Sequence, residues 1–264
     1  MAEILTTQAE LDEVFARLEK DYGALNKRQQ AYAIDEIGRV RSEVTELLAE
    51  YADGEGGVQR QQMNRILSDL DVVESNLRQT GELTFEHIVK ETSEYTTARL
   101  APVIGVSASA VMGVNQHVLQ YVTRRFGEDG LVLSDRVWGL SGEIRDELST
   151  VIRSSIIKGE GINAMIPKIR KVYDNETWKI RRLARTESVT AHRAAISYNA
   201  QESEVVEWLQ FHHGVKRTDA CVSLANHDKY GKGKGVYKTT DTEIWMPHPN
   251  CTSYATYILD ERWL

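Results

Sequence analysis

Residues 205–211 read Val-Val-Glu-Trp-Leu-Gln-Phe, and at this stretch the hydrophobic pattern changes from helical to extended. In a β-strand every second residue lies on the same face, so Val206, Trp208 and Gln210 would share one face. Three further segments have the composition of short strands, namely 235–238, 243–246 and 254–258. We therefore predict a small antiparallel sheet that begins at about residue 204.

Upstream of this stretch, apolar residues recur at helical spacing and glycine-containing segments interrupt them. Residues 53–57, 127–130 and 159–161 are expected breaks, and Gly81 is expected to close the helix that begins near Met63. The pattern indicates long amphipathic helices that pack as hairpins or against another protein.

The helices nearest the sheet are predicted individually. One follows Leu133-Ser134-Asp135, a short one covers 162–172, and a final one runs from about Glu176 to Asn199. The expected fold class is therefore α+β, with a mostly α-helical body of long amphipathic helices and a small antiparallel β-rich C-terminal module. We expect two regions, a helical arm over 1–130 and a second domain over 131–264.

The composition is that of a globular protein, with 264 residues of which 41% are hydrophobic and 27% are charged. No apolar run approaches the roughly 20 residues that cross a bilayer, so no membrane association is expected. The first residues show no basic segment followed by an apolar one. We therefore expect the protein to remain in the cytoplasm, at least until it is incorporated into a larger assembly.

The net charge of −7 argues against a protein that coats nucleic acid with its whole surface. A local basic strip nevertheless lies between Lys168 and Arg193. This strip is either a solvated helix face or a contact for DNA or an acidic partner. The residues that would touch DNA are Lys168, Arg170, Lys171, Lys179, Arg181 and Arg182.

Glu187 lies in the apolar stripe of the final predicted helix, at helical spacing from Leu183 and Ala191. A carboxylate there is either buried with a partner or turned far enough to reach water. Leaving a buried charge without its partner costs about 3–5 kcal/mol, so a buried Glu187 needs one. We expect that partner in the C-terminal module, because Arg185 lies on a different face of the helix.

Cys221 and Cys251 are the only two cysteines, and His248-Pro249-Asn250-Cys251 places a histidine close to the second. Cys221, His248 and Cys251 could point at one centre as metal ligands, from a turn that Pro249 stiffens. Structural zinc takes about four ligands of this kind. The candidates for a fourth ligand are His212, His213, His227 and Asp219.

Three other interpretations of these residues stay open. A disulfide between Cys221 and Cys251 would contribute roughly 3–4 kcal/mol in the chain-entropy model, if the protein met oxidising surroundings. Asp219, Cys221 and His248 also include the residue types of a thiol nucleophile and its base. Alternatively, the two cysteines are buried free thiols beside a turn histidine, with no cofactor bound.

Several segments in series resemble the head morphogenesis family of tailed phages, the minor head proteins related to phage Mu protein F. They are Leu133-Ser134-Asp135, Gly159-Glu160-Gly161, Ala184-Arg185-Thr186-Glu187, Trp208, Asp219 with Cys221 and Leu224, and His248-Pro249-Asn250-Cys251. The resemblance covers roughly residues 131–258. It marks as structural motif residues Arg185, Thr186, Glu187, Trp208, Asp219 and Pro249.

The resemblance implies a structural minor capsid protein and not an enzyme. Such a protein associates with the portal inside the head, with the major capsid or scaffold protein and with packaged DNA, and assists capsid assembly and DNA packaging or ejection. It would reside in the virion, inside the head or near the portal vertex, after assembly in the host cytoplasm. Residues 131–264 would be the head-morphogenesis domain, and the 1–130 arm would bind the portal or self-associate.

This chain departs from the family pattern at two places. The family commonly carries two cysteines near Asp219 and ends in Arg-Cys, whereas this chain has one cysteine there and continues with Thr252-Ser253. The departures favour a structural turn over a metal ion. The alternative functions are an enzyme or toxin-like effector, such as a nuclease or another hydrolase built on Cys221 and His248, and a DNA-binding head protein that uses the basic strip.

Overall fold

The computed structural model describes residues 7–127, 129–215 and 218–259. Within these residues the chain forms helices and one small sheet, in the order α1 Gln8–Gly38, α2 Val40–Tyr51, α3 Met63–Leu100, α4 Ala108–Arg124, α5 Leu133–Lys158, α6 Ile162–Gln201, β1 Val206–His212, α7 Asp219–Asn226, β2 Val236–Lys238 and β3 Tyr254–Leu259. Single 3₁₀ turns cover Arg60–Gln62 and Thr242–Ile244. The predicted α+β class is confirmed, and so are the predicted strands at 205–211, 235–238 and 254–258.

The sheet is antiparallel with the strand order β2-β1-β3. A bulge in β1 lies between Val206, which pairs with Leu259, and Trp208, which pairs with Ile258. The extra residue shifts the alternation by one, so the buried side chains after the bulge are Leu209 and Phe211. The prediction that Val206 and Trp208 share a face was therefore wrong.

Gly81 does not end a helix, because α3 continues through it to Leu100. A Cβ atom at position 81 would lie 2.6 Å from Cγ1 of Val137 in α5. The glycine is thus explained by the close approach of two helices and not by a break in one. The predicted strand at 243–246 was also wrong, since the Thr242–Ile244 turn occupies its first half and Trp245 and Met246 lie outside any strand.

The segments 162–172 and Glu176–Asn199 belong to one helix, α6, so the predicted separation between them was wrong. The buried residues that continue one face across the junction are Val172, Tyr173, Glu176 and Ile180. These residues are three or four positions apart, so they lie on one face of a continuous helix. The polar residues Asp174 and Asn175 interrupt the apolar pattern in the sequence and therefore suggested a break between two helices.

The chain divides into two compact units, each assembled from separate segments. Unit 1 comprises Met1–Gln29, Glu86–Glu128 and Arg182–Leu264, and unit 2 comprises Gln30–Phe85 and Asp129–Arg181. Both units take chain from each side of residue 130. The predicted 1–130 arm and 131–264 domain were defined by their expected functions and not by compactness, so that division stays a prediction.

In unit 1 the sheet packs on a face of α6 that is made of small residues. Ala191, Ala194 and Ala195 of α6 lie in one buried cluster with Leu209 and Tyr257 of the sheet. Alanines let the backbone of the helix approach the sheet closely, so that large side chains of the strands fill the space. In unit 2 the buried residues of α2, α3, α5 and α6 include Val44, Ile66, Leu70, Ile144, Ile152 and Ile169.

Within the described residues, no helix combines the length and the apolar character that spanning a bilayer requires.

Candidate functional site

The structure brings Cys221, His248 and Cys251 together in unit 1. The Sγ atom of Cys221 lies 3.0 Å from Nε2 of His248 and 3.5 Å from Sγ of Cys251. The three potential ligand atoms all lie within 4.8 Å of one another. Two thiols and one imidazole at these distances could hold a metal ion.

Two local structures position these side chains. The Thr218 hydroxyl caps α7 by accepting a hydrogen bond from the Cys221 amide at 3.3 Å, which places Cys221 in the first turn of the helix. The turn at 248–251 contains Asn250 with a φ of 59°, a left-handed conformation that asparagine tolerates better than most residues. This conformation reverses the chain between His248 and Cys251, so both side chains reach the same centre.

The predicted fourth ligands do not join this group. Within the described residues, only Cys221, His248 and Cys251 form a cluster of this kind. His212 lies on β1, where its Nε2 is 2.9 Å from the Thr256 hydroxyl. The remaining candidates, His213, His227 and Asp219, lie outside the cluster.

The 248–251 turn is fastened to α6 through the Arg-Thr-Glu segment. The Asn250 amide donates to Oγ1 of Thr186 at 3.0 Å, and that hydroxyl donates to the Arg182 carbonyl at 2.8 Å. Further along α6, Nε1 of Trp245 donates to the Ser197 hydroxyl at 2.6 Å. The turn and the chain leading into it are therefore held on the same helix at two separate points.

Arg193 of α6 contacts the cluster, which sequence reasoning missed although the residue stood at the end of the basic strip. Its side chain is buried, with a residue exposure of 1%. It donates to the carbonyls of Trp245 and Ser253 and, at 3.2 Å, to Sγ of Cys251. Its sequence signal is an arginine that lies between Ala191 and the pair Ala194 and Ala195, on a stretch of small residues.

The two sulfurs lie in different electrostatic surroundings. Burial raises the pKa of the Cys221 thiol. Burial also opposes ionisation of Cys251, but the Arg193 guanidinium and hydrogen bonds involving Ser253 outweigh it and lower the pKa of Cys251 to about 7. Cys251 is thus the sulfur that carries negative charge more readily near neutral pH.

Glu187 is buried and paired, and its partner is Arg125. The carboxylate has a side-chain exposure of 0% and accepts from Nη2 of Arg125 at 2.7 Å, where the arginine side chain is 6% exposed. Arg125 directly follows α4, so this partner does not come from the C-terminal module, where we expected one. The separation of 62 positions between the two residues explains why periodicity along one helix did not reveal the pair.

The other structural motif residues lie around the site without joining the cluster. Asp219 is exposed in the first turn of α7, and Arg185 is half-buried on α6. Trp208 lies on β1 with its ring 5.5 Å from that of Tyr230. Pro249 contributes its carbonyl oxygen, which lies 2.9 Å from Nδ1 of His248.

The arrangement of Cys221, His248 and Asp219 has only part of the geometry that a catalytic thiol and its base require. The distance from Cys221 to His248 suits a base that accepts the thiol proton. However, Nδ1 of His248 faces the Pro249 carbonyl, Asp219 is exposed, and Cys221 itself has an exposure of 0%. The arrangement thus buries the sulfur that would have to meet a substrate.

The residues of the predicted basic strip divide into two groups. Lys168 pairs with Glu160, and Lys179 pairs with Glu143 and Glu176 at 2.7 Å each. The members that remain exposed are Arg170, Lys171, Arg181 and Arg182.

The site therefore consists of a Cys-His-Cys cluster with two buried cysteines and a half-buried histidine, a buried arginine beside one sulfur, and a turn held on the Arg-Thr-Glu helix. No protein-family model, curated protein or solved structure matches the chain.

Proposed function

We propose that this protein is a structural minor head protein of a tailed phage. It would associate with the portal inside the head, contact the major capsid or scaffold protein, and assist capsid assembly and DNA packaging or ejection. Two kinds of support stand behind the proposal. One is the ordered resemblance described above, and the other is the way in which the residues that carry this resemblance are used in the fold.

The observation that carries the proposal is that Thr186, Glu187 and Cys251 are buried and serve as anchors within the fold. Thr186 accepts the hydrogen bond from Asn250, Glu187 is buried against Arg125, and Cys251 is buried against Arg193. Side chains that hold a turn and a sheet on one helix make a rigid building block, which is what an assembly protein requires. A catalyst would instead present such groups to a substrate.

Packaged DNA is a further partner in this proposal. The exposed members of the basic strip, Arg170, Lys171, Arg181 and Arg182, are the residues we expect to contact its phosphates. Because only part of the strip is free of carboxylate partners, the contact would be local, and its affinity would fall steeply with salt concentration. The proposed location is the virion, inside the head or near the portal vertex.

Zinc is the metal that we propose for the Cys221, His248 and Cys251 group. Thiolate and imidazole are the ligands that structural zinc takes in proteins, whereas magnesium and calcium prefer oxygen. The proposed role of the ion is to tie together the segments that carry these three ligands.

Co-sedimentation with a portal ring tests the proposed function. The protein is co-expressed with the portal protein of the same phage, and the complex is separated on a density gradient. We expect the protein to travel with the ring, and migration apart from the ring under all salt conditions would refute the proposal.

A matched pair of threonine variants shows whether the anchored turn matters for this association. Thr186 and Thr150 both donate to the carbonyl four residues earlier, at 2.8 and 2.9 Å, but only Thr186 also accepts from the turn. We expect Thr186→Val to reduce the co-sedimenting fraction and Thr150→Val to leave it unchanged.

A thiol-dependent hydrolase is the second candidate, favoured by the 3.0 Å contact between Cys221 and His248. Iodoacetamide labelling followed by mass spectrometry separates the two candidates. A structural protein should protect Cys221 until it is unfolded, because its sulfur is buried. Rapid labelling of Cys221 in the folded protein would instead support the enzyme.

A further inference from the structure

We infer that the zinc site fastens α7 to the 248–251 turn, and that Arg193 is the positioning residue that presents the Cys251 sulfur to the ion. The inference rests on zinc as the proposed metal, but it does not depend on a role in head assembly. It follows from the hydrogen bonds around His248 and Cys251 and from the distances between the three ligands.

His248 already has the orientation that a metal ligand needs. Its Nδ1 lies 2.9 Å from the Pro249 carbonyl oxygen, which can only accept a hydrogen bond. Nδ1 therefore carries the proton, and Nε2 presents its lone pair towards Cys221 at 3.0 Å. A hydrogen bond from the second ring nitrogen to a backbone carbonyl is the usual support of a metal-binding histidine.

Cys251 receives two N–H donors on its sulfur. Nη2 of Arg193 lies 3.2 Å from Sγ, and the Ser253 amide lies 3.4 Å from it. Donors of this kind favour a thiolate, the form in which cysteine binds a metal. They also leave part of the sulfur free to face Cys221 at 3.5 Å.

The buried charge of Arg193 gives an independent reason for a thiolate at this place. The guanidinium of a residue with 1% exposure needs a compensating anion. Within the described residues its hydrogen-bond acceptors are two backbone carbonyls and the Cys251 sulfur. The sulfur is the member of that set that can carry a full negative charge.

The distances between the ligand atoms suit a tetrahedral ion after a small adjustment. Ideal zinc bonds place two sulfurs about 3.8 Å apart and a sulfur and a nitrogen about 3.6 Å apart. The corresponding separations here are 3.5 Å between the sulfurs and 3.0 Å from Cys221 to His248. Side-chain shifts on the order of 0.5–1 Å would seat the ion, with a water or another small ligand in the fourth position.

The consequence is a link between three elements of unit 1. Cys221 belongs to α7, His248 and Cys251 belong to the turn, and Arg193 belongs to α6. An ion held by the first three would join α7 to the turn, and the arginine would extend that link to the long helix. Metal loading would therefore stabilise the C-terminal module as a whole.

Cobalt(II) substitution tests the site directly, because cobalt takes the place of zinc and reports its ligands by absorption. The reduced, chelator-treated protein is titrated with cobalt alone and then with zinc as competitor. We expect one ion per chain, the visible bands of a tetrahedral complex, and an ultraviolet sulfur-to-cobalt charge-transfer band. Cys221→Ser and Cys251→Ser should each roughly halve that band, because each removes one of two thiolates.

Variants of Arg193 test the positioning role. Arg193→Met should weaken cobalt and zinc binding by about 10–100-fold and shift the charge-transfer band, as the loss of an outer partner does. Arg193→Lys should restore part of the affinity, because it returns a cationic donor. Arg185→Met is the matched control, since Arg185 lies on the same helix outside the cluster, and it should bind metal as the native chain does.

The outcomes separate the two proposals. Absence of cobalt binding to the reduced native protein, or binding without the charge-transfer band, would overturn both the zinc proposal and the link. Normal binding and an unchanged spectrum in Arg193→Met would overturn the positioning role alone. If Arg193→Met fails to fold, as judged by circular dichroism, Arg193→Lys and the serine variants still decide the question.

Discussion

Replacement of Glu187 by glutamine should destabilise unit 1 strongly. The carboxylate and Arg125 are both buried and their nearest atoms are 2.7 Å apart. At an effective dielectric constant of ~20 the Coulomb attraction over that distance is about 6 kcal/mol, before the cost of removing both groups from water. Loss of one partner from such a buried pair costs about 3–5 kcal/mol, because the other charge remains uncompensated.

Urea unfolding followed by circular dichroism measures this effect as a shift of the transition midpoint. Glu13→Gln is the control, because its pair with Arg17 has side-chain exposures of 73% and 75% and should leave the midpoint unchanged. The double variant Arg125→Met, Glu187→Met should lose less stability than the sum of the two single variants, since it removes both members of this ion pair together. A cost below about 1 kcal/mol for Glu187→Gln would show that the carboxylate reaches water and would refute the reasoning.

Two further predictions concern unit 2. Gly81→Ala should lower the free energy of unfolding by about 1–3 kcal/mol through overpacking, because the new Cβ would lie 2.6 Å from Cγ1 of Val137. Gly139→Ala is the control, because its Cβ would meet open space, and it should be neutral or stabilising by up to about 1 kcal/mol. Thermal unfolding of both variants checks these values. Burial raises the pKa of Tyr173 to about 12, above its unfolded value of about 10. The raised pKa means that the neutral phenol stabilises the fold fully below pH 10, and that this contribution is lost as the pH rises towards 12. Tyr173→Phe should therefore flatten the decline of the unfolding midpoint over that range, and an unchanged decline would contradict the assignment.

Features that depend on local spacing could be predicted from the sequence. Residue type and periodicity were enough to predict the helices, from the helical spacing of apolar residues, and the strand at 205–211. They were also enough to single out Cys221, His248 and Cys251 as one group. The group assembled as expected because the His-Pro-Asn-Cys turn is short and Asn250 accepts a left-handed conformation.

Features that depend on contacts between distant segments could not be predicted in this way. Gly81 has the signature of a helix end, and only the position of Val137 shows that it is a packing residue. The bulge in β1 reverses the faces of Trp208 and Leu209, and no residue type in the strand announces it. Arg193 looked like one more charge on a basic strip, because its role depends on the distant Cys251.

The division of unit 1 into three separated segments has a consequence for synthesis on the ribosome. When the chain has emerged as far as Arg181, every segment of unit 2 is present. Unit 1 at that moment still lacks Arg182–Leu264, which contains the sheet and the half of α6 on which the sheet packs. Apolar residues of the early segments, such as Leu11, Phe15, Val89 and Val118, therefore stay uncovered until Arg182–Leu264 has been made, and exposed apolar surface of this kind makes a nascent chain prone to aggregation.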